Sequence, residues 1–72
     1  MNIAQENFNL TKREVDILTE IVNGKSNNEI SKHLSVSINT VKAHCKSIFS
    51  KLNVRNRVEA TVKALHDGII WI

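Results

Sequence analysis

Apolar residues recur at helical spacing in four stretches of this chain, and each stretch is preceded by a residue suited to begin a helix. The segment Thr11-Lys12-Arg13-Glu14 has capping-box spacing: the threonine hydroxyl accepts from the third amide and the glutamate reaches back. Leu10 and Val15 occupy the staple positions around it. Val15, Leu18, Ile21 and Val22 follow as an apolar stripe, and Gly24 supplies a left-handed stop, so the pattern predicts a helix over Lys12–Val22. Ser26-Asn27-Asn28-Glu29 is a second capping box, and Ile30 and Leu34 carry a two-turn helix over Asn27–Leu34. The connection between the two is so short that they must turn sharply.

Ser37 caps a third helix, predicted from Ile38 to about Asn53. Val41, Cys45, Ile48 and Leu52 form its apolar stripe. Its opposite side carries Asn39, Lys42, Ala43, Lys46 and Ser50: two lysines one turn apart, a small residue between them, and no acid. Asn56 opens a fourth helix, with Glu59 three residues on and Gly68 as its stop. Ala60 and Ala64 suit close packing on another helix, while Val58, Val62 and Leu65 form a separate apolar stripe. A helix apolar on two sides is a candidate for an interface as well as a core. The tail Ile69-Ile70-Trp71-Ile72 is apolar enough to fold back, with Trp71 as a core plug.

Composition agrees with an all-α fold, because the 72 residues include no proline and only two glycines. The organisation expected is a leader over residues 1–9 and one domain over residues 10–72. A core this small stabilises by only about 3–5 kcal/mol, which makes dimerisation a natural support. Cys45 is the only cysteine, so an internal disulfide and a thiolate metal cluster are both excluded. His44 has no cysteine or histidine at ligand spacing, and no metal or other cofactor is expected. The lone thiol, the lack of a basic-then-apolar leader and the lack of a membrane-length apolar run point to a soluble, cytoplasmic protein. Carboxylate pairs, a glycine-rich phosphate loop and Ser-His-Asp or Cys-His arrangements are all missing, so no enzyme is expected, and the chain leaves little room for a small-molecule pocket.

Charge changes the picture further. Up to Ser31 the chain has three basic and five acidic residues, and from Lys32 onward seven basic and two acidic, so a net −2 is followed by a net +5. No acid occurs between Glu29 and Glu59, a window holding Lys32, Lys42, Lys46, Lys51, Arg55 and Arg57. This is a footprint for a polyanion. The stretch from Ile30 to Leu52 reads as helix, the turn Ser35-Val36-Ser37, then helix, an arrangement that places its second helix in the major groove of double-stranded DNA. Lysines there reach guanine, Ala43 touches a thymine methyl, and the helix start around Ser37, Asn39 and Thr40 offers donors to a phosphate.

Four strings together, Leu10-Thr11-Lys12-Arg13-Glu14-Val15, Asn28-Glu29-Ile30, Ser37-Ile38-Asn39-Thr40-Val41-Lys42-Ala43-His44 and Lys51-Leu52-Asn53-Val54-Arg55-Asn56-Arg57, resemble the LuxR/GerE-type helix-turn-helix. The resemblance runs from about Leu10 to Ile70. It implies a tri-helical core plus a fourth, dimerising helix. It also implies a bacterial transcription regulator. By the resemblance, residues matching Lys42, Ala43 and Lys46 face the bases, and those matching Thr40, Lys51, Asn56 and Arg57 hold phosphates. Dimerisation through the fourth helix falls to Val58, Val62 and Leu65. In the family the domain often ends a response regulator, so the chain resembles either a free-standing member or an excised fragment, and Met1 with its short leader favours the free-standing one. Two departures are visible: Ser35 stands where the family often has glycine, and Cys45 where an aliphatic is usual. The competing class is a helical protein-interaction module, sigma-factor-like, that meets RNA polymerase through its basic face without reading DNA sequence itself.

Overall fold

Thr11, Ser26, Ser37 and Asn56 each accept a hydrogen bond from the amide three residues on, and each starts a helix. The computed structural model describes residues 8–71, and within them lie α1 (Lys12–Val22), α2 (Asn27–Leu34), α3 (Ile38–Leu52) and α4 (Arg57–His66), with no strand. The all-α expectation therefore holds. Thr11 with Glu14 and Ser26 with Glu29 complete reciprocal capping boxes. Glu59 instead reaches past Asn56 to the amide and guanidinium of Arg55.

The helix ends show where the backbone is strained. Asn53, the expected last residue of α3, sits in the left-handed region at φ 57°, so the helix stops at Leu52. Asparagine tolerates that region; serine does so less well. Ser35, between α2 and α3, is also left-handed, at φ 57° and ψ 44°. Ser35→Gly is therefore expected to stabilise the fold by about 0.5–1 kcal/mol after glycine's greater freedom in the unfolded chain is subtracted. That corresponds to a rise of about 3–6 °C in Tm, read from a thermal melt by circular dichroism. An unchanged or lowered Tm would refute the strain.

The core is built from Ile17, Leu18 and Ile21 of α1, Ile30 of α2, Val41, Ile48 and Leu52 of α3, and Ala60 and Ala64 of α4, all buried. The small side chains of Ala60 and Ala64 let α4 approach the other helices closely. α1 packs on both α3 and α4, and α2 packs on α3. The buried face of α1 differs from the expected stripe: Ile17 joins Leu18 and Ile21, while Val15 and Val22 are only half-buried. Two glutamates, Glu14 and Glu20, share that face, because each finds a cationic or ionisable partner on another helix. Cys45 lies in the core stripe as expected, and burial pushes its thiol pKa up.

The tail corrects one expectation. Ile69 and Ile70 are buried, with both amides donating to the Ala64 carbonyl, but Trp71 is 86% exposed. Its indole N–H donates to the Gly68 carbonyl at 2.7 Å, which holds the ring on the surface while Ile70 fills the core. Ile72 and residues 1–7 of the expected leader lie outside the described residues. Phe8, read from sequence as leader, packs partly buried against the core, with the Lys63 ammonium 5.4 Å from its ring centre.

Candidate nucleic-acid interface

The turn Ser35-Val36-Ser37 fixes α3 against α2 through a backbone bond from the Val36 amide to the Ser31 carbonyl. With Val41, Cys45, Ile48 and Leu52 turned into the core, Asn39, Lys42, Ala43, Lys46 and Ser50 are left exposed on the other side. Thr40 is exposed at the helix start, where its hydroxyl lies 2.9 Å from that of Ser37. The first amides of any helix lack intrahelical partners, so this end combines free amides with two hydroxyls.

Spatial neighbours revise the acid-free window. Lys51 meets the buried Glu14 at 2.7 Å, and Arg55 meets Glu59 at 2.8 Å. Arg57 donates through Nη1 to Asn27 Oδ1 and through Nη2 to the Lys25 carbonyl, both at 2.9 Å. Lys32, Lys42 and Lys46 form no ion pair among the described residues, and all three are exposed. The described carboxylates, by contrast, are all engaged. Glu14 pairs with Lys51, Asp16 with Arg13, Glu20 with His33, Glu59 with Arg55, and Asp67 with Lys63 and His66. Glu29 bonds back to the Ser26 amide. Unbalanced positive charge is thus left on Lys32, Lys42 and Lys46 of α2 and α3, and also on the exposed Lys12 and Lys25.

Sequence reasoning missed the role of Glu14. It is 3% exposed, and its carboxylate accepts from the Thr11 amide, the Ser47 hydroxyl and the Lys51 ammonium. Burial alone would push its pKa up; the hydrogen bonds from Lys51, Ser47 and Thr11 outweigh it and hold the group at about 2. The one signal in the sequence was its helical register with Ile17, Leu18 and Ile21. Asn56, expected at a phosphate, caps α4 through its side-chain oxygen.

On the far side, Val58, Val62 and Leu65 stand exposed along α4 at 70%, 61% and 42%. Shallow grooves flank this ridge, one lined by Ile21, Gly24, Arg57 and Thr61, the other by Val54, Lys63 and His66. No group of three or more metal-ligating side chains occurs among the described residues. None of their helices is long and apolar enough to cross a membrane.

Comparison with known proteins gives a consistent result. Residues 8–64 match the family described as bacterial regulatory proteins, luxR family. The chain is 49% identical over 58 residues to the nitrate/nitrite response regulator protein NarP of Escherichia coli (strain K12), covering 81% of this chain and 27% of that protein. It is 46% identical over 61 residues to the transcriptional regulatory protein LiaR of Bacillus subtilis (strain 168), covering 85% of this chain and 29% of that one. The crystal structure of the response regulator ChrA, from a heme-sensing two-component system, superposes with a TM-score of 0.82 at 39% identity, over 85% of this chain and 30% of ChrA. The chain thus spans less than a third of the length of these relatives. These relatives are transcriptional and response regulators by name, not enzymes. With a fold that carries a helix-turn-helix and a family match over most of its length, this chain belongs to the luxR family of bacterial regulatory proteins, as a DNA-binding transcription-regulator domain.

Proposed function

We propose that the domain reads double-stranded DNA sequence-specifically, as a homodimer on a two-fold-related site in the cytoplasm, with one α3 in each major groove. The observation that carries this reading is the outward face of α3, where Lys42, Ala43 and Lys46 are exposed and every described carboxylate is engaged elsewhere. Lys42 and Lys46 donate to guanine edges, and Ala43 allows the helix close to the bases. Asn39 and Thr40 hold a phosphate at the helix start. Lys51, Asn56 and Arg57 face phosphates only with the donors that their intramolecular bonds leave over. No cofactor is needed for any of these contacts.

The second copy seats on the ridge of Val58, Val62 and Leu65, whose exposure supports an isologous contact across α4. A Val62→Asp variant is therefore expected to sediment as a monomer at concentrations where the wild type is dimeric. Identical sedimentation of the two proteins would remove α4 as the contact.

Selection of bound sequences from a random duplex pool, at near-physiological salt, tests the whole reading. The expected outcome is a two-fold-related motif with half-sites about one helical turn apart. Recovery of no motif, with only salt-sensitive binding, would favour a protein-interaction module whose basic face serves a protein such as RNA polymerase.

A further inference from the structure

We infer that Glu14 of α1, which meets α3 at Ser47 and Lys51, is a positioning residue for base reading, acting through Ser47. The inference rests on the sequence-specific reading proposed above. Glu14 Oε2 accepts from the Ser47 hydroxyl at 2.6 Å, and Glu14 Oε1 accepts from the Lys51 ammonium at 2.7 Å. The same Oε1 accepts from the Thr11 amide at 2.8 Å, as part of the capping box that starts α1. Ser47 and Lys51 are one turn apart, so a single carboxylate holds α3 at two successive turns against the first turn of α1.

This matters because, apart from the turn at its start and a long Cys45 Sγ to Asn27 Oδ1 contact at 3.9 Å, α3 is held by the apolar packing of Val41, Cys45, Ile48, Leu52 and the partly buried Phe49. Apolar burial is non-directional and leaves a helix some freedom to roll about its axis. A roll of about 20° moves the surface of a helix of about 5–6 Å radius by about 2 Å. A hydrogen bond to a base edge tolerates only about 0.5 Å in length. Directional bonds from Ser47 and Lys51 remove that freedom. Lys46 immediately precedes Ser47, and Ala43 lies one turn before it, so the restraint acts beside the residues that face the groove.

Ser47→Ala separates this role from simple stability. The variant deletes one hydrogen bond, leaves Glu14 paired with Lys51 and Thr11, and places a strong helix former in α3. Ser47→Thr keeps the hydroxyl. The measurement is the ratio of affinity for the motif recovered by selection to affinity for a scrambled duplex, at a temperature where circular dichroism shows each protein fully folded. Ser47→Ala is expected to lower this ratio about five- to tenfold, the loss of one good base contact, with affinity for the scrambled duplex unchanged. Ser47→Thr is expected to recover most of the ratio. An unchanged ratio in Ser47→Ala, or a parallel fall in both affinities, overturns the positioning role and leaves sequence reading standing. A selection that recovers no motif overturns sequence reading and this inference together.

Discussion

Glu14→Ala is expected to leave the domain largely unfolded at room temperature. The wild-type carboxylate is 3% exposed and carries three hydrogen bonds, one from an ammonium. Removing one partner of a buried ion pair costs about 3–5 kcal/mol, because the remaining charge loses its counterion. Lys51 is partly solvated, so the lower end of that range applies here. Loss of the reciprocal capping bond to Thr11 adds about 0.5–1 kcal/mol. A domain of this size has about 3–5 kcal/mol in total. Acid does the same by protonation. The Glu14 pKa falls on folding from 4.5 to about 2, so its contribution is complete above pH 4.5 and is lost as pH falls from there towards 2. The loss comes to about 2–3 kcal/mol. Far-UV circular dichroism reads both outcomes. A Glu14→Ala protein that melts like the wild type, or a wild type equally stable at pH 5 and pH 2.5, would show that the buried pair holds nothing.

Affinity for DNA is expected to fall about a thousandfold between 50 and 200 mM salt. Five exposed lysines per protomer form no ion pair among the described residues. Three of them, Lys32, Lys42 and Lys46, lie on α2 and α3, so the proposed dimer brings about six unpaired positive charges to the duplex, equivalent to about six neutralised phosphates whether each lysine ends on a base or a phosphate. Each releases about 0.9 of a counterion, which gives a slope near −5 in log affinity against log salt. Lys42→Ala should flatten that slope by about two for the dimer and relax base preference. Arg55→Ala should leave the slope alone, since Arg55 is already balanced by Glu59. Fluorescence anisotropy over a salt series distinguishes the cases. Equal flattening by Lys42→Ala and Arg55→Ala would mean that exposed pairs open on DNA and that the intramolecular pairing does not select the contacts.

The elements were legible because their signals are local. Thr11, Ser26, Ser37 and Asn56 sit within four residues of the amides they cap, and the α3 stripe of Val41, Cys45, Ile48 and Leu52 repeats within one helix. What could not be read was carried by distance along the chain. Glu14 and Lys51 are 37 residues apart, and Arg57 meets Asn27 from 30 residues away. A glutamate scores as a surface residue until its cation is known, so the sequence pattern of α1 runs through Val15 and Val22 rather than through Glu14 and Glu20. Likewise, a run of sequence without acids still met Glu14 and Glu59 in space, and half of its six cations turned out to be spoken for. Trp71 misled for a different reason: bulk and apolarity favour burial, but one hydrogen bond to Gly68 and a core already filled by Ile70 decided its place.

Under the proposed dimeric reading, Arg57 bears on how far apart two half-sites can lie. It ties the first turn of α4 to Asn27 and to the Lys25 carbonyl, so the ridge carrying Val58 and Val62 cannot swing relative to α2. Two domains joined across that ridge act as a fixed gauge. One extra base pair between half-sites displaces the second by about 3.4 Å and turns it by about 34°. A hinged pair absorbs that change; a gauge does not. If the domain dimerises and reads DNA as proposed, such a pair is expected to admit a single spacer length, so that a one-base insertion between otherwise perfect half-sites weakens binding as much as losing one of them.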